Sequence, residues 1–278
     1  MNLHEAVSQL IIDTKGLGVA GALPSSLDVF LPEIVLCATI VLMLLVRILS
    51  RGRQWDVFHL AVAGVLVALF LGTLRAPSVD QRMEFFTGML VYDSFTVFMR
   101  ALLLVFTVCF LVLTRLTGIP DRTDGPDIYT LVLGATVGMC LMVSSNHLLM
   151  VFMSVEMASV PCYALTGLMK GRPRASEAAL KYSIYGAGAA GIMLYGISLI
   201  AGLVNTVHLP SIAEQLAIRL PTMSGDEWMV LALGGVMIIV GLAFKLSAVP
   251  FHFWCPDVFE GATAEVAALL SVASKMAA

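Results

Sequence analysis

From Leu31 onward, apolar runs long enough to cross a lipid bilayer follow one another with little chain between them. A spanning helix needs about 20 mostly apolar residues, because the hydrocarbon core is about 30 Å thick. No water is present there, so each peptide group must find its partner within the helix. Runs of this kind lie at about 31–49, 57–74, 95–116, 128–143, 148–169 and 176–203. A seventh extends from Trp228 to Phe259, and an eighth begins near Thr263. The pattern predicts an all-α polytopic membrane protein of about eight transmembrane helices. Composition agrees: only 13% of residues are charged, about half the share typical of soluble domains.

The seventh run is too long. Its 32 positions would reach roughly 48 Å as one helix, well beyond the bilayer core. Pro250 and Pro256 interrupt it, so two half-helices with a break between them are expected. Pro250 would free the carbonyl of Leu246, and Pro256 that of His252. Irregular backbone at this depth is tolerated only where it is buried in protein or lines a wet cavity. Pro161, in the fifth run, would likewise remove the amide partner of the Met157 carbonyl.

Four ionisable residues fall inside the runs: Glu156, Lys181, Lys245 and Lys275. Each costs about 2.5–3.5 kcal/mol at mid-helix. Four together approach roughly 10 kcal/mol, the stability of a whole domain. Such groups are retained where they pair with one another or line a path for ions or protons. Glu156 sits about 13 Å into its helix, counting from His147. Lys245 lies beside the expected break. Lys181 is close to the end of its run, where it could snorkel to the headgroups, and four residues after Glu177, a surface ion-pair spacing. His252 is a further candidate relay, although a histidine satisfied by backbone fits equally well. At about 4 Å and an effective dielectric near 20, a Glu156–Lys245 pair would be worth roughly 4 kcal/mol.

Other chemistries find no support. The five cysteines stand singly in apolar surroundings and read as small buried hydrophobes rather than metal or redox pairs. Neither a phosphate-binding glycine loop nor HExxH occurs, and no basic patch suggests nucleic acid. No metal site and no bound cofactor are expected on this chain. Residues 1–26 contain acidic groups and only a short apolar stretch, which reads as a surface segment rather than a cleaved signal. SIAEQLAIRL, after the sixth run, reads as an interfacial helix. Glycines 186, 188, 191 and 196 are expected to permit close helix packing. Loop cations give the orientation. Arg47, Arg51, Arg53, Arg115, Arg122, Lys170, Arg172 and Arg174 follow odd-numbered spans, against Lys15, Arg75, Arg82 and Arg219 on the other side. This predicts an N-terminus outside.

Several stretches resemble a known family. LPEIVL at Leu31–Leu36, VYDSFTVFMR at Val91–Arg100 and SSNHLLMVFMSVEMASVPCYAL at Ser144–Leu165 are similar to the N subunits of bacterial NADH–quinone oxidoreductase, respiratory complex I. So are EAALKY at Glu177–Tyr182, FKLSAVPFHFWCPDVFEGA at Phe244–Ala262 and ASK at Ala273–Lys275. The resemblance implies an antiporter-like fold, with leading helices followed by two inverted five-helix repeats. The chain then divides into a surface segment (1–26), leading helices one to three (27–120) and most of the first repeat (121–278). By the same resemblance, Glu156, Lys181, Lys245 and Lys275 match proton-relay positions on helices five to eight. The second repeat is absent from the sequence, which reads as C-terminally truncated.

The implied function is proton translocation by a non-redox subunit of an NADH:quinone oxidoreductase in the bacterial plasma membrane. NADH, FMN, iron–sulfur clusters and quinone would be handled by partner subunits. The other complex I membrane subunits and the lipid bilayer would be its partners, with no role for nucleic acid. A stand-alone cation/proton antiporter and a non-conducting scaffold are the alternatives.

Overall fold

The computed structural model describes residues 26–49, 57–74, 82–118, 125–169 and 171–278. The surface segment expected at 1–26 lies outside these, except for Ser26, which is buried at the start of a short helix. Lys15, Arg51, Arg53, Arg75, Arg122 and Lys170, six of the cations that set the expected orientation, also lie outside them. The chain forms two compact units, Met1–Ser145 and Asn146–Ala278.

The first unit contains α1 (Ser26–Val29), α2 (Leu31–Leu49) and α3 (Phe58–Leu74). A β-hairpin follows, β1 (Met83–Phe85) pairing antiparallel with β2 (Leu90–Tyr92). Then come α4 (Ser94–Thr117) and α5 (Gly125–Val143). The hairpin occupies a connection that its charged residues suggest is only a polar loop. Asp93 closes the hairpin and caps α4, accepting from the Thr96 amide at 2.8 Å, as an N-cap aspartate should. α5 packs against α2, α3 and α4. It therefore packs within the first unit, whose boundary falls after Ser145. Thr107 on α4 and Thr136 on α5 share a buried hydrogen bond of 3.0 Å.

Inside this unit Glu33 of α2 and Arg100 of α4 form a buried ion pair. Neither stands out in a search for isolated charges within spans. Glu33 reads as the polar start of a span, and Arg100 as part of the YDSFTVFMR motif. Glu33 Oε2 and Arg100 Nε have no hydrogen-bond partner. Both line a small cavity with Pro32, Thr73 and Cys140.

The second unit contains α6 (Leu148–Thr166), α7 (Pro173–Val204), α8 (Leu209–Arg219), a 3₁₀ turn (Leu220–Thr222) and α9 (Gly225–Leu246). The short helices α10 (Trp254–Gly261), α11 (Ala264–Ser271) and α12 (Ala273–Ala277) follow. α8 covers most of the stretch expected to form an interfacial helix. α9 opens on a capping box, in which Ser224 and Glu227 each accept from the other's backbone amide. The long α7 is the spine against which α6, α9 and α10 pack.

Small residues set how close these approaches are. A methyl group added at Gly196 would lie 2.7 Å from the Gly234 carbonyl, and one at Gly241 would lie 2.6 Å from Met193 Cβ. One at Gly186 would overlap the Tyr163 hydroxyl. Gly188 and Gly191, expected to do the same work, meet nothing within 4 Å. They lie on a face of α7 that also exposes Ile184 and Tyr195.

Six described helices are long and apolar enough to cross a membrane, and α3 is a shorter apolar helix. Many of their large apolar side chains point outward, Leu49 and Met229 among them. In water this would be costly, whereas against lipid it is not. The broken seventh span is present as α9 and α10, and the eighth run as α11 and α12. Cys140 and Cys162 are buried as expected, whereas Cys37 and Cys109 lie on exposed faces.

Two consequences can be measured. Arg100→Met strands the Glu33 carboxylate in the core and should cost about 3–5 kcal/mol, read as a lower melting temperature in detergent. Glu33→Met with Arg100→Met should restore most of that loss. Gly186→Ala should destabilise by about 1–3 kcal/mol through overpacking. Gly188→Ala, in open space, should be neutral or better, since alanine is the stronger helix former.

Candidate functional site

The local end of α9 creates the site. Ser247 terminates the helix in the left-handed conformation (φ 56°), a region that a residue other than glycine enters only at a cost. The amides of Ser247 and Ala248 turn back onto the carbonyls of Phe244 (3.0 Å) and Ala243 (2.8 Å). The helix therefore stops before Pro250, which lies in the connecting turn. Pro256 is the third residue of α10, where a helix has no intrahelical partner for its amide. It starts a helix rather than breaking one. The His252 carbonyl is not left free by it, because it accepts from the Cys255 amide at 2.9 Å. Pro161, by contrast, lies inside α6, which continues through it.

Lys245 is the last residue but one of α9 and only 2% exposed. Its ammonium donates to Ser159 Oγ on α6 at 2.8 Å. Ser159 in turn donates to the Val155 carbonyl at 2.6 Å. Glu156, half-buried one turn before Ser159, interacts electrostatically with Lys245. Among the described residues, no ion pair joins the two. In place of the expected direct contact near 4 Å, the lysine is bonded to a neutral hydroxyl. Ser159 lies eleven residues along α6 from Leu148, about 16 Å deep, so the lysine it holds is near mid-membrane.

An aromatic wall closes the site on the side of the break. Trp254 stacks on Tyr182 (centroids 4.4 Å, planes 8° apart) and lies 5.3 Å from Phe244. Its indole N–H donates to the Phe244 carbonyl at 3.1 Å, so that carbonyl accepts two hydrogen bonds. Tyr163 meets Tyr182 edge-on at 4.6 Å. The Trp254, Tyr182 and Phe244 rings are themselves buried beside the α9 terminus, and a low-polarity surrounding of this kind strengthens electrostatic interactions.

The remaining expected residues are distributed around this centre. Lys181 is paired with Glu177 (2.8 Å), as the spacing predicts, and with Asp257 of α10 (2.7 Å). With Arg174 and Glu260, which pair at 3.0 Å, they line an outer cleft, so the Lys181 ammonium is engaged there rather than at Lys245. Lys275 on α12 lies 5.8 Å from the centre of the Phe259 ring, within cation–π range. His252 stacks on Phe253 at 5.0 Å, and its Nδ1 is buried without a partner. The described residues contain no cluster of three or more histidine, cysteine or acidic side chains that could hold a metal ion.

Three groups escape a reading of the sequence. Ser159 is an ordinary residue in MASVP, and only its position one turn from Glu156 sets it apart. Asp257 reads as part of the PD motif rather than as a partner of Lys181. Glu265, in the first turn of α11, is 5% exposed, and its Oε2 has no partner. At the N-terminal end of α6, the Asn146 side-chain amide lies 2.9 Å from His208 Nε2, and His208 Nδ1 lies 2.9 Å from Ser211 Oγ. Partial burial, followed by the neighbouring His208, lowers the pKa of His147 below the ordinary imidazole value.

Residues 145–278 match the family of NADH:quinone oxidoreductase/Mrp antiporter transmembrane segments. Subunit N of the NADH–quinone oxidoreductase of Chlorobium chlorochromatii is 36% identical over 262 residues, 93% of this chain and 50% of that one. Subunit N 2 of Sorangium cellulosum is 38% identical over 265 residues, 91% of this chain and 51% of that one. Among solved structures, respiratory complex I from Thermus thermophilus with bound aureothin superposes with a TM-score of 0.70 at 28% identity, covering 88% of this chain and 51% of that chain. The chain thus spans about half the length of the curated relatives it matches. Likeness sustained over nine-tenths of its own length, together with the matched membrane segment, makes the chain similar to the N subunits of NADH–quinone oxidoreductase.

Proposed function

We propose that the chain is part of a membrane subunit of an NADH–quinone oxidoreductase, where it carries protons while partner subunits perform the redox chemistry. The observation that carries this reading is Lys245. It is a lysine almost fully buried at a helix break, with a neutral hydroxyl for a partner and a carboxylate within electrostatic reach. An ionisable group so placed in a membrane marks a path for ions or protons. Similarity to the N subunits supplies the setting.

On this reading, Glu156 and Lys245 form the working pair. Closing the lysine onto the carboxylate at about 4 Å gains roughly 4 kcal/mol at an effective dielectric near 20. Moving one charge through 100 mV costs about 2.3 kcal/mol. Making and breaking the pair is therefore enough to drive a proton against a membrane potential. Lys275 is the next acceptor beyond the break. Lys181, with Asp257 and Glu177, serves the input side, and His252 is a relay between the two half-helices. The pair titrates jointly rather than as two independent groups. NADH, FMN, iron–sulfur clusters and quinone belong to partner subunits, and neighbouring antiporter-like subunits complete the membrane arm. The setting is a bacterial plasma membrane, with the N-terminus outside.

In the complete complex, Lys245→Ala should leave assembly and NADH oxidation intact. Proton uptake into inverted vesicles should fall toward background, because a positioned proton-transfer group contributes about 10²–10⁴-fold. A normal proton-to-electron ratio in the assembled variant would sink the reading. The matched family also includes Mrp antiporter segments, which favours a cation/proton antiporter as the second reading. Sodium-driven proton flux in vesicles without NADH, lost in Lys245→Ala, would select that reading instead. Full pumping after replacing Glu156 and Lys245 together would leave only a scaffold.

A further inference from the structure

Resting on that reading, one residue remains to be explained. Lys245 is bonded to Ser159 rather than to Glu156, although an acid and a base in a dry interior attract strongly. Ser159 is 2% exposed. Its hydrogen is committed to the Val155 carbonyl, so toward the lysine its oxygen can only accept. One turn further along α6 is a second hydroxyl. Tyr163 OH is buried and has no hydrogen-bond partner, yet it approaches Ser159 without meeting hydrogen-bond geometry. Its place is kept open by Gly186, where any side chain would collide with it. An unpartnered buried hydroxyl is costly, and its ring is held fast by Tyr182.

We propose that Ser159 is the positioning residue of the relay: its hydroxyl oxygen holds the Lys245 ammonium off Glu156, and Tyr163 is the donor that replaces the lysine when it moves. Glu156, Ser159 and Tyr163 follow one another at three and four residues along α6, which puts them on one face. With lysine on Ser159, Tyr163 OH waits without a partner, as observed. With lysine on Glu156, Tyr163 donates to Ser159 and the vacated oxygen is satisfied. In both positions the Ser159 oxygen has a donor, so the ammonium can move between them by exchanging hydrogen bonds alone.

The two ends of this exchange can be removed separately in the assembled complex. A hydrogen bond to a charged group shifts such an equilibrium by about ten- to a hundredfold. Ser159→Ala should therefore leave Lys245 closed on Glu156 and slow proton pumping by about that factor, with NADH oxidation by the rest of the complex retained. Ser159→Thr, which keeps the hydroxyl, should recover most of the rate. A structure of Ser159→Ala should show Lys245 ion-paired to Glu156. Tyr163→Phe keeps the ring packing but removes the replacement donor, and should also slow pumping. Should Ser159→Ala fail to assemble, Tyr163→Phe decides the matter.

Pumping at the normal rate in assembled Ser159→Ala or Tyr163→Phe overturns the inference, as does Lys245 remaining apart from Glu156 without the serine. If those variants pump normally while Lys245→Ala does not, the inference falls and the proposed function stands. If Lys245→Ala also pumps normally, both fall.

Discussion

A single hydrogen bond, from the Lys245 ammonium to the Ser159 hydroxyl, connects most of the second unit. For it to form, α9 must stop one residue beyond the lysine, and Ser247 accepts an unfavourable backbone conformation to stop it there. The exposed carbonyls of that terminus need donors, which the returning amides and the Trp254 indole provide. Trp254 can be present only because α10 lies along α7. There Gly261 leaves room beside Ala178 and the Arg174 carbonyl. Loss of any of these would bring water to the lysine or move it from the serine.

The two units keep buried charge in different ways. Glu33 and Arg100 pair with one another directly, an arrangement that is costly to disrupt from one side only. It ties α2 to α4. In the second unit the base is bonded to a neutral group instead of to the acid, so it retains a choice. A direct pair resists change, while a separated pair can be switched. The outer cleft, where Lys181 bridges Glu177 and Asp257, is a third arrangement, more solvated and therefore weaker.

Much of the architecture is legible in the chain itself. Runs of apolar residues place the spans to within a few positions, because length and hydropathy are the only requirements a bilayer imposes on a helix. The excess length of the seventh run announces its break, and the start of α11 falls where the eighth run begins. The prolines are less informative than they look. Pro256 begins a helix and Pro250 lies in a turn, because the helix has already been ended by Ser247, a residue with no strong signal for doing so. The hairpin after α3 is missed for a related reason. Its pairing depends on the partner strand, while its charged neighbours suggest only a loop.

Glu156 and Lys245 are visible in the sequence because burial of a charge in lipid is expensive wherever it occurs. That cost is a property of the residue and its helix, and no neighbour is needed to recognise it. Which neighbour each charge takes is another matter. Ser159, Asp257 and Arg100 become significant only when helices far apart in the chain are brought side by side, since a hydrogen bond depends on a few tenths of an ångström that no spacing along one helix specifies. The same holds for the glycines of α7, identical as residues, where Gly186 and Gly196 meet neighbours and Gly188 and Gly191 do not. The sequence determined that charges are buried here and on which helices. Only the packing of those helices decided that the lysine takes a serine as its partner.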